Sequence, residues 1–208
     1  MRLYFKALAC VAVFALCGCA GLEQAVPAGQ SEFELAGRIA MRYRDEAGSG
    51  NLAWRHARNA DELLLTTPIG TSLARVVRNG DAVVLTTAEG REYRARNAET
   101  LTAQVLGFPL PLEGMAEWVR GRPLPGPPAQ IRRDAQGRIA SLVQSGWTVE
   151  YQEYRDDQLP ARLKLAFPGI ELRLAIHHWA EGGAVRAAAH YDARGIEGRL
   201  PHAEHALP

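Results

Sequence analysis

Phe33-Glu34-Leu35-Ala36-Gly37-Arg38-Ile39-Ala40-Met41-Arg42-Tyr43 is the stretch that decides the fold. Phe33, Leu35, Ile39, Met41 and Tyr43 share one parity, and Glu34, Arg38 and Arg42 share the other. Successive side chains of a strand point to opposite faces, so this period of two describes a strand with one face buried and one in water.

Downstream, the alternation recurs in short runs divided by turn residues. A turn over 45–50 leads to a strand over 51–56 with Leu52 and Trp54, and strands follow over 62–67, 71–78, 82–87 and 92–96. Thr67-Pro68-Ile69-Gly70 has Pro second and Gly fourth, a type I turn signature. Asn79-Gly80 and Glu89-Gly90 have hairpin-turn composition. The pattern changes at Asn97, a helix cap, with Glu99 in the first turn and a stripe of Leu101, Val105 and Leu106 ended by Gly107. After the stiff link Phe108-Pro109-Leu110-Pro111, a second short helix covers 112–120, carries Met115, Trp118 and Val119, and stops at Gly121. Proline-rich residues 123–128 are loop. Strands resume over 131–133, 139–144, 148–154, 161–167 and 170–178. About eleven strands joined by tight turns pair antiparallel. Two short helices can cover one face of such a sheet, or plug its mouth, but not both faces.

Upstream, Arg2 and Lys6 precede an uncharged apolar run over 7–16, which is shorter than the ~20 residues of a membrane-spanning helix. A basic start, a short apolar core and small residues before a cut describe a secretory signal peptide over 1–18. Leu16-Cys17-Gly18-Cys19 resembles the lipobox of bacterial lipoproteins, in which the cysteine is acylated and becomes the N-terminus. An ordinary signal peptide cut near Ala20 is the alternative. Cys10 and Cys17 lie in the removed segment, so of three cysteines only Cys19 survives, and acylation accounts for it. Ala20, rather than Asp, after the cysteine resembles the sorting signal for the outer membrane. Residues 19–32 are the lipidated N-terminus and tether, 33–179 the domain, and 180–208 an aperiodic extension expected to be loose.

The chain has 208 residues, with 24 Lys and Arg against 23 Asp and Glu. Loss of Arg2 and Lys6 leaves one acid in excess, so composition carries no nucleic-acid footprint. The residues after the cut suffice for one domain with a sizeable core.

Several landmarks occur together: Leu35-Ala36-Gly37-Arg38-Ile39-Ala40, Asn51-Leu52-Ala53-Trp54, Leu63-Leu64-Leu65 with Thr67-Pro68-Ile69-Gly70-Thr71, Leu106-Gly107-Phe108-Pro109-Leu110-Pro111, Glu117-Trp118-Val119-Arg120-Gly121, Ser145-Gly146-Trp147-Thr148-Val149, and Leu172-Arg173-Leu174-Ala175-Ile176 ending at Trp179. From Phe33 to Trp179 the chain resembles the LolB family of outer-membrane lipoprotein receptors. The resemblance implies a mainly β fold, an incomplete (open) antiparallel barrel with short helices over its open side. It also implies a lipid-anchored receptor on the periplasmic face of the outer membrane. Its partners would be the periplasmic carrier LolA, lipoprotein acyl chains and outer-membrane phospholipid; no nucleic-acid partner is expected, and the chain is expected to be a monomer. The family's insertion device is an exposed leucine in a Pro-Leu-Gly loop. Pro68-Ile69-Gly70 stands at that position here, with isoleucine in place of leucine.

A carrier of acyl chains needs an apolar lining without a filled core. Hiding one chain of ~15 methylenes at ~0.8 kcal/mol each contributes on the order of 12 kcal/mol. The inward positions that could line such a cavity are Leu35, Ile39, Trp54, Leu65, Trp147, Val149, Leu163, Leu165, Leu172, Leu174 and Ile176, faced by Met115 and Trp118 from the helices. The same residues could instead form an ordinary packed core. A scaffolding envelope lipoprotein is the alternative function. No nucleophile elbow or phosphate loop is present, and Asp156-Asp157 falls in a turn. His177-His178 are neighbours on a strand, expected on opposite faces, and His190, His202 and His205 lie in the extension. No catalytic residue, no metal site and no cofactor beyond the Cys19 lipid is therefore expected.

Overall fold

The computed structural model of the protein describes Val26 and residues 30–106 and 108–182. The signal peptide, Cys19, most of the tether, Gly107 and residues 183–208 lie outside the described residues.

Among the described residues, eleven strands form one antiparallel sheet: β1 (Phe33–Tyr43), β2 (Glu46–Ala57), β3 (Ala60–Thr66), β4 (Ser72–Asn79), β5 (Ala82–Thr87), β6 (Glu92–Ala95), β7 (Ala129–Arg133), β8 (Ile139–Gln144), β9 (Trp147–Tyr154), β10 (Pro160–Phe167) and β11 (Ile170–Glu181). The order is β6-β5-β4-β3-β2-β1-β11-β10-β9-β8-β7. Each strand thus pairs with its chain neighbour, except that β1 also pairs with β11 and no pairing joins β6 to β7. The sheet is not closed into a barrel. Helices α1 (Ala98–Leu106) and α2 (Leu112–Trp118) occupy the chain between those two unpaired edges.

The boundaries that differ most from the sequence reading are the start of β2 and the end of β11. β2 begins at Glu46, because Tyr43 pairs with Glu46 across the two-residue turn Arg44-Asp45; Arg44 takes the positive φ of 54° that so tight a turn requires. Ala47 to Gly50, read as turn from composition, is strand held by β1. At the other end, β11 runs on through Ala180 and Glu181, paired with Glu34 and Phe33.

The helices are fixed locally. Asn97 Oδ1 accepts the Thr100 N–H at 2.7 Å, capping α1. Buried Thr102 accepts the Leu110 N–H at 2.7 Å, which pins the apolar link to α1. After α2, the Arg122 N–H reaches Glu117 O and the Gly121 N–H reaches Trp118 O, with Gly121 at φ 72°. This is a Schellman stop, and it needs the left-handed residue that glycine supplies.

Both helices lie against the inner face. Cross-strand pairs build rows there: Trp179, Leu35, Trp54, Leu63, Val76 and Leu85 follow one another from β11 to β5. A second row runs Leu142, Val149, Leu165, Leu172 and Met41 from β8 to β1, then meets Gly48 on β2. A third runs Tyr151, Leu163, Leu174 and Ile39, then meets Gly50. Two rows of large side chains therefore end on glycine at one place.

Candidate functional site: an apolar cavity beside an exposed hairpin

Where those rows run out there is empty space. A cavity of about 260 Å³ lies between strands β1 to β5 and the segment from Thr102 to Met115, with Leu172 of β11 at its border. Its walls are almost wholly apolar. Leu52, Leu63, Leu65, Val76 and Leu85 supply the sheet side, and Phe108, Leu110, Leu112 and Met115 the helix side. Gly48, Ser49 and Gly50 form part of the rim. A Cβ built on Gly48 would meet nothing within 4 Å, whereas one on Gly50 would clash with the Thr66 carbonyl oxygen. Gly48 is therefore a gap, and Gly50 a site of close backbone approach.

The rim continues into the β3–β4 hairpin. Thr67 N–H bonds Thr71 O, Gly70 N–H bonds Thr67 O at 2.9 Å, and Gly70 has φ 92°. These bonds hold Pro68 and Ile69 at the tip, where Ile69 is 90% exposed. Below it, the pairing slips by one residue: Leu65 faces Ala74 while Thr66 faces Ser72. The extra residue is Leu73, so Leu73 and Ala74 both reach the cavity although they are adjacent. Leu73 remains 43% exposed, so the cavity reaches apolar surface below the hairpin tip.

The expected residues divide between two places. Ile39, Leu65, Leu172 and Met115 line the cavity. Leu35, Trp54, Trp118, Trp147, Val149, Leu163, Leu165, Leu174 and Ile176 are buried in the packed core and do not line it. Leu52, Leu63, Leu73, Val76, Leu85, Phe108, Leu110 and Leu112 line it without having been singled out. The alternation in β4 and β5 and the Phe-Pro-Leu-Pro link carried that signal. Both methionines other than Met1, Met41 and Met115, border the cavity. His177 and His178 are both exposed, because the β1–β11 register slips beside them; strand alternation does not separate them.

Polar groups are kept away from this space. Asp61, fully buried, accepts from Trp54 Nε1 at 2.8 Å and Arg78 Nε at 2.6 Å, and its other contact is His56 Nδ1 at 2.7 Å. On the far side, Trp118 Nε1 donates to Gln144 Oε1 at 2.9 Å, and Gln144 also binds the backbone of Leu124 and Pro127. Tyr151 donates to Trp118 O and Tyr154 to Ile139 O. Burial pushes both phenols up, Tyr154 to about 12.

Residues 31–179 match the family described as "Outer membrane lipoprotein LolB". An outer-membrane lipoprotein LolB of Thiobacillus denitrificans is 36% identical over 171 residues, covering 80% of this chain and 92% of that protein. The one from Nitrosomonas europaea is 40% identical over 152 residues, 71% of this chain and 72% of that protein. Among solved structures, a LolA superfamily protein from Nitrosomonas europaea superposes with a TM-score of 0.48 at 12% identity, over 73% of this chain and 86% of that one.

Proposed function

The chain belongs to the LolB family, and on that premise we propose that it is a receptor anchored to the outer membrane that takes lipoproteins from the carrier LolA and inserts them into the bilayer. The acyl chain sits in the cavity between β1–β5 and the helices. Cys19 carries the anchor. Ile69 enters the bilayer during delivery. The observation that carries this reading is the juxtaposition of an almost purely apolar cavity with a hairpin whose tip is an exposed isoleucine. An unfilled apolar space is costly for a protein that only folds, because its lining loses dispersion contacts. A cavity of about 260 Å³ is slightly smaller than the ~300–1,000 Å³ of ordinary ligand pockets. A whole acyl chain therefore enters as the lining yields, and Met41 and Met115 are the side chains suited to repack around it.

Transfer is tested in two steps. Photo-crosslinkers at Leu65 and Met115 should capture the acyl chain of a labelled lipoprotein presented by the carrier, while one at Trp147 should not. Ile69→Glu should still accept the lipoprotein but deliver it poorly to liposomes, because a buried charge in the bilayer costs about 2–4 kcal/mol; Ile69→Leu should deliver normally. Capture at neither cavity position would leave a scaffolding lipoprotein as the better reading. Delivery by Ile69→Glu equal to the parent would make the tip an ordinary surface residue.

A further inference from the structure

The outer face of the sheet carries a second feature beside the same hairpin. Arg38 on β1 and Arg162 on β10 stand in one row with Ala175 of β11 between them, a separation of about 10 Å, or two strand spacings. Arg173 stands in the next row, beside Ala40. The two alanines leave a floor and the three arginines stand around it, giving a groove of about 360 Å³. Among the described residues, no Asp or Glu lines this groove. Arg162 pairs with Glu153 and Arg173 with Glu171, both with exposed guanidinium groups; Arg38 has no ion pair among the described residues. Exposed pairs are worth only about 0–1 kcal/mol, so these arginines can exchange partners readily.

The groove is joined to the hairpin. Pro68 borders it, and Asn51 donates to Thr67 O at 3.1 Å, tying the loop to its edge. Ile69 is the next residue after Pro68. When the Ile69 side chain reaches the acyl layer, the groove therefore lies at the depth of the headgroups. Guanidinium forks match phosphate oxygens in geometry and charge.

We propose that the groove of Arg38, Arg162 and Arg173 binds the phosphate of an anionic phospholipid headgroup and so sets the pose in which the Ile69 hairpin enters the bilayer. The inference rests on the assignment of Ile69 to insertion. It adds a site on the opposite face of the sheet from the acyl cavity, with a different chemistry and a different response to salt.

The test uses the lipid-anchored protein reconstituted in vesicles, with Ile69→Cys labelled by an environment-sensitive fluorophore. In vesicles containing phosphatidylglycerol the probe should report more inserted hairpin than in phosphatidylcholine vesicles, and added NaCl should reduce the difference. Arg38→Gln should lower the inserted-to-free ratio about fivefold in the anionic vesicles only, and Arg38→Gln with Arg162→Gln further, as expected for roughly one phosphate contact per arginine. Arg38→Lys should keep most of it. Equal insertion in both vesicle types, or an unchanged ratio in the double variant, would overturn the proposal while leaving Ile69 as the inserting residue. Millimolar inorganic phosphate abolishing the difference, where chloride at equal ionic strength does not, would assign the groove to a free anion. Loss of lipoprotein acceptance from the carrier in Arg38→Gln would assign it to carrier docking. Either result would exclude the headgroup reading.

Discussion

The two halves of the sheet share an architecture and differ in what fills it. On the β8–β11 side, the rings of Trp118 and Trp147 lie 6.3 Å apart, and Phe167 packs against Trp147 at 5.1 Å with its ring tilted by 31°. Val149, Leu163 and Leu165 close the remaining space. On the β1–β5 side, Phe33, Leu35 and Trp54 are packed, but beyond them toward the rim the inner face offers leucine, valine and two glycines, and the space stays open. The strands and turns are alike, so what stands opposite each inner position, through side-chain volume and register, separates a core from a cavity. One half is filled throughout, while the other keeps an open apolar space beside its rim.

The contrast can be broken first at its filled side. Trp118→Ala should cost about 3–5 kcal/mol in denaturant unfolding, because a fully buried ring is removed and the Gln144 contact goes with it. A loss below about 1 kcal/mol would mean that this half is no better packed than the other. Gly50→Ala comes next. Its new methyl would press on the Thr66 carbonyl, so a loss of about 1–3 kcal/mol is expected from the same measurement. At Gly48, two residues away, a Cβ meets no neighbour, so Gly48→Leu should leave stability within roughly ±0.5 kcal/mol. Because it fills the open half from the rim, it should reduce acyl-chain capture at Leu65 severalfold; unchanged capture would place the guest elsewhere. The smallest effect is expected from alkali. The Tyr151 and Tyr154 phenols ionise at higher pH when folded than when unfolded, because burial disfavours the phenolate. Their contribution is fully present below about pH 10, the unfolded value, and is lost as pH rises from there toward about 12 and beyond. Tyr151→Phe should flatten that part of the stability–pH curve.

The strands were legible because alternation is a local property: Phe33 to Tyr43 shows its buried face without reference to any partner. The helix cap at Asn97 and the stop at Gly121 were legible for the same reason. Ala47-Gly48-Ser49-Gly50 misled because its composition is that of a turn, while its state is set by pairing with β1. The division of inward residues was not legible at all. Whether Leu65 or Leu165 sees empty space depends on what stands opposite, and that follows from register across five or more strands. Leu73 reaches the cavity only through a slip in pairing, for which the sequence has no local mark. The Asp61 cluster was hidden similarly: Asp61 reads as a turn residue, yet His56, Trp54 and Arg78 come to it from the two flanking strands.

The pairing of β1 with β11 has a further consequence for how the chain is made. Every other strand pair is a hairpin or a near neighbour and can form as soon as its second strand exists. The central seam joins the first strand to the last, and closing so long a loop is slow relative to local pairing. Two stacks of hairpins can therefore ripen separately, each with one long unpaired edge, until residues 170–181 arrive. During that interval the exposed edges are open to pairing with other chains. Truncation within the last strand should thus be more damaging to yield than its length suggests, since it leaves both stacks formed and neither protected.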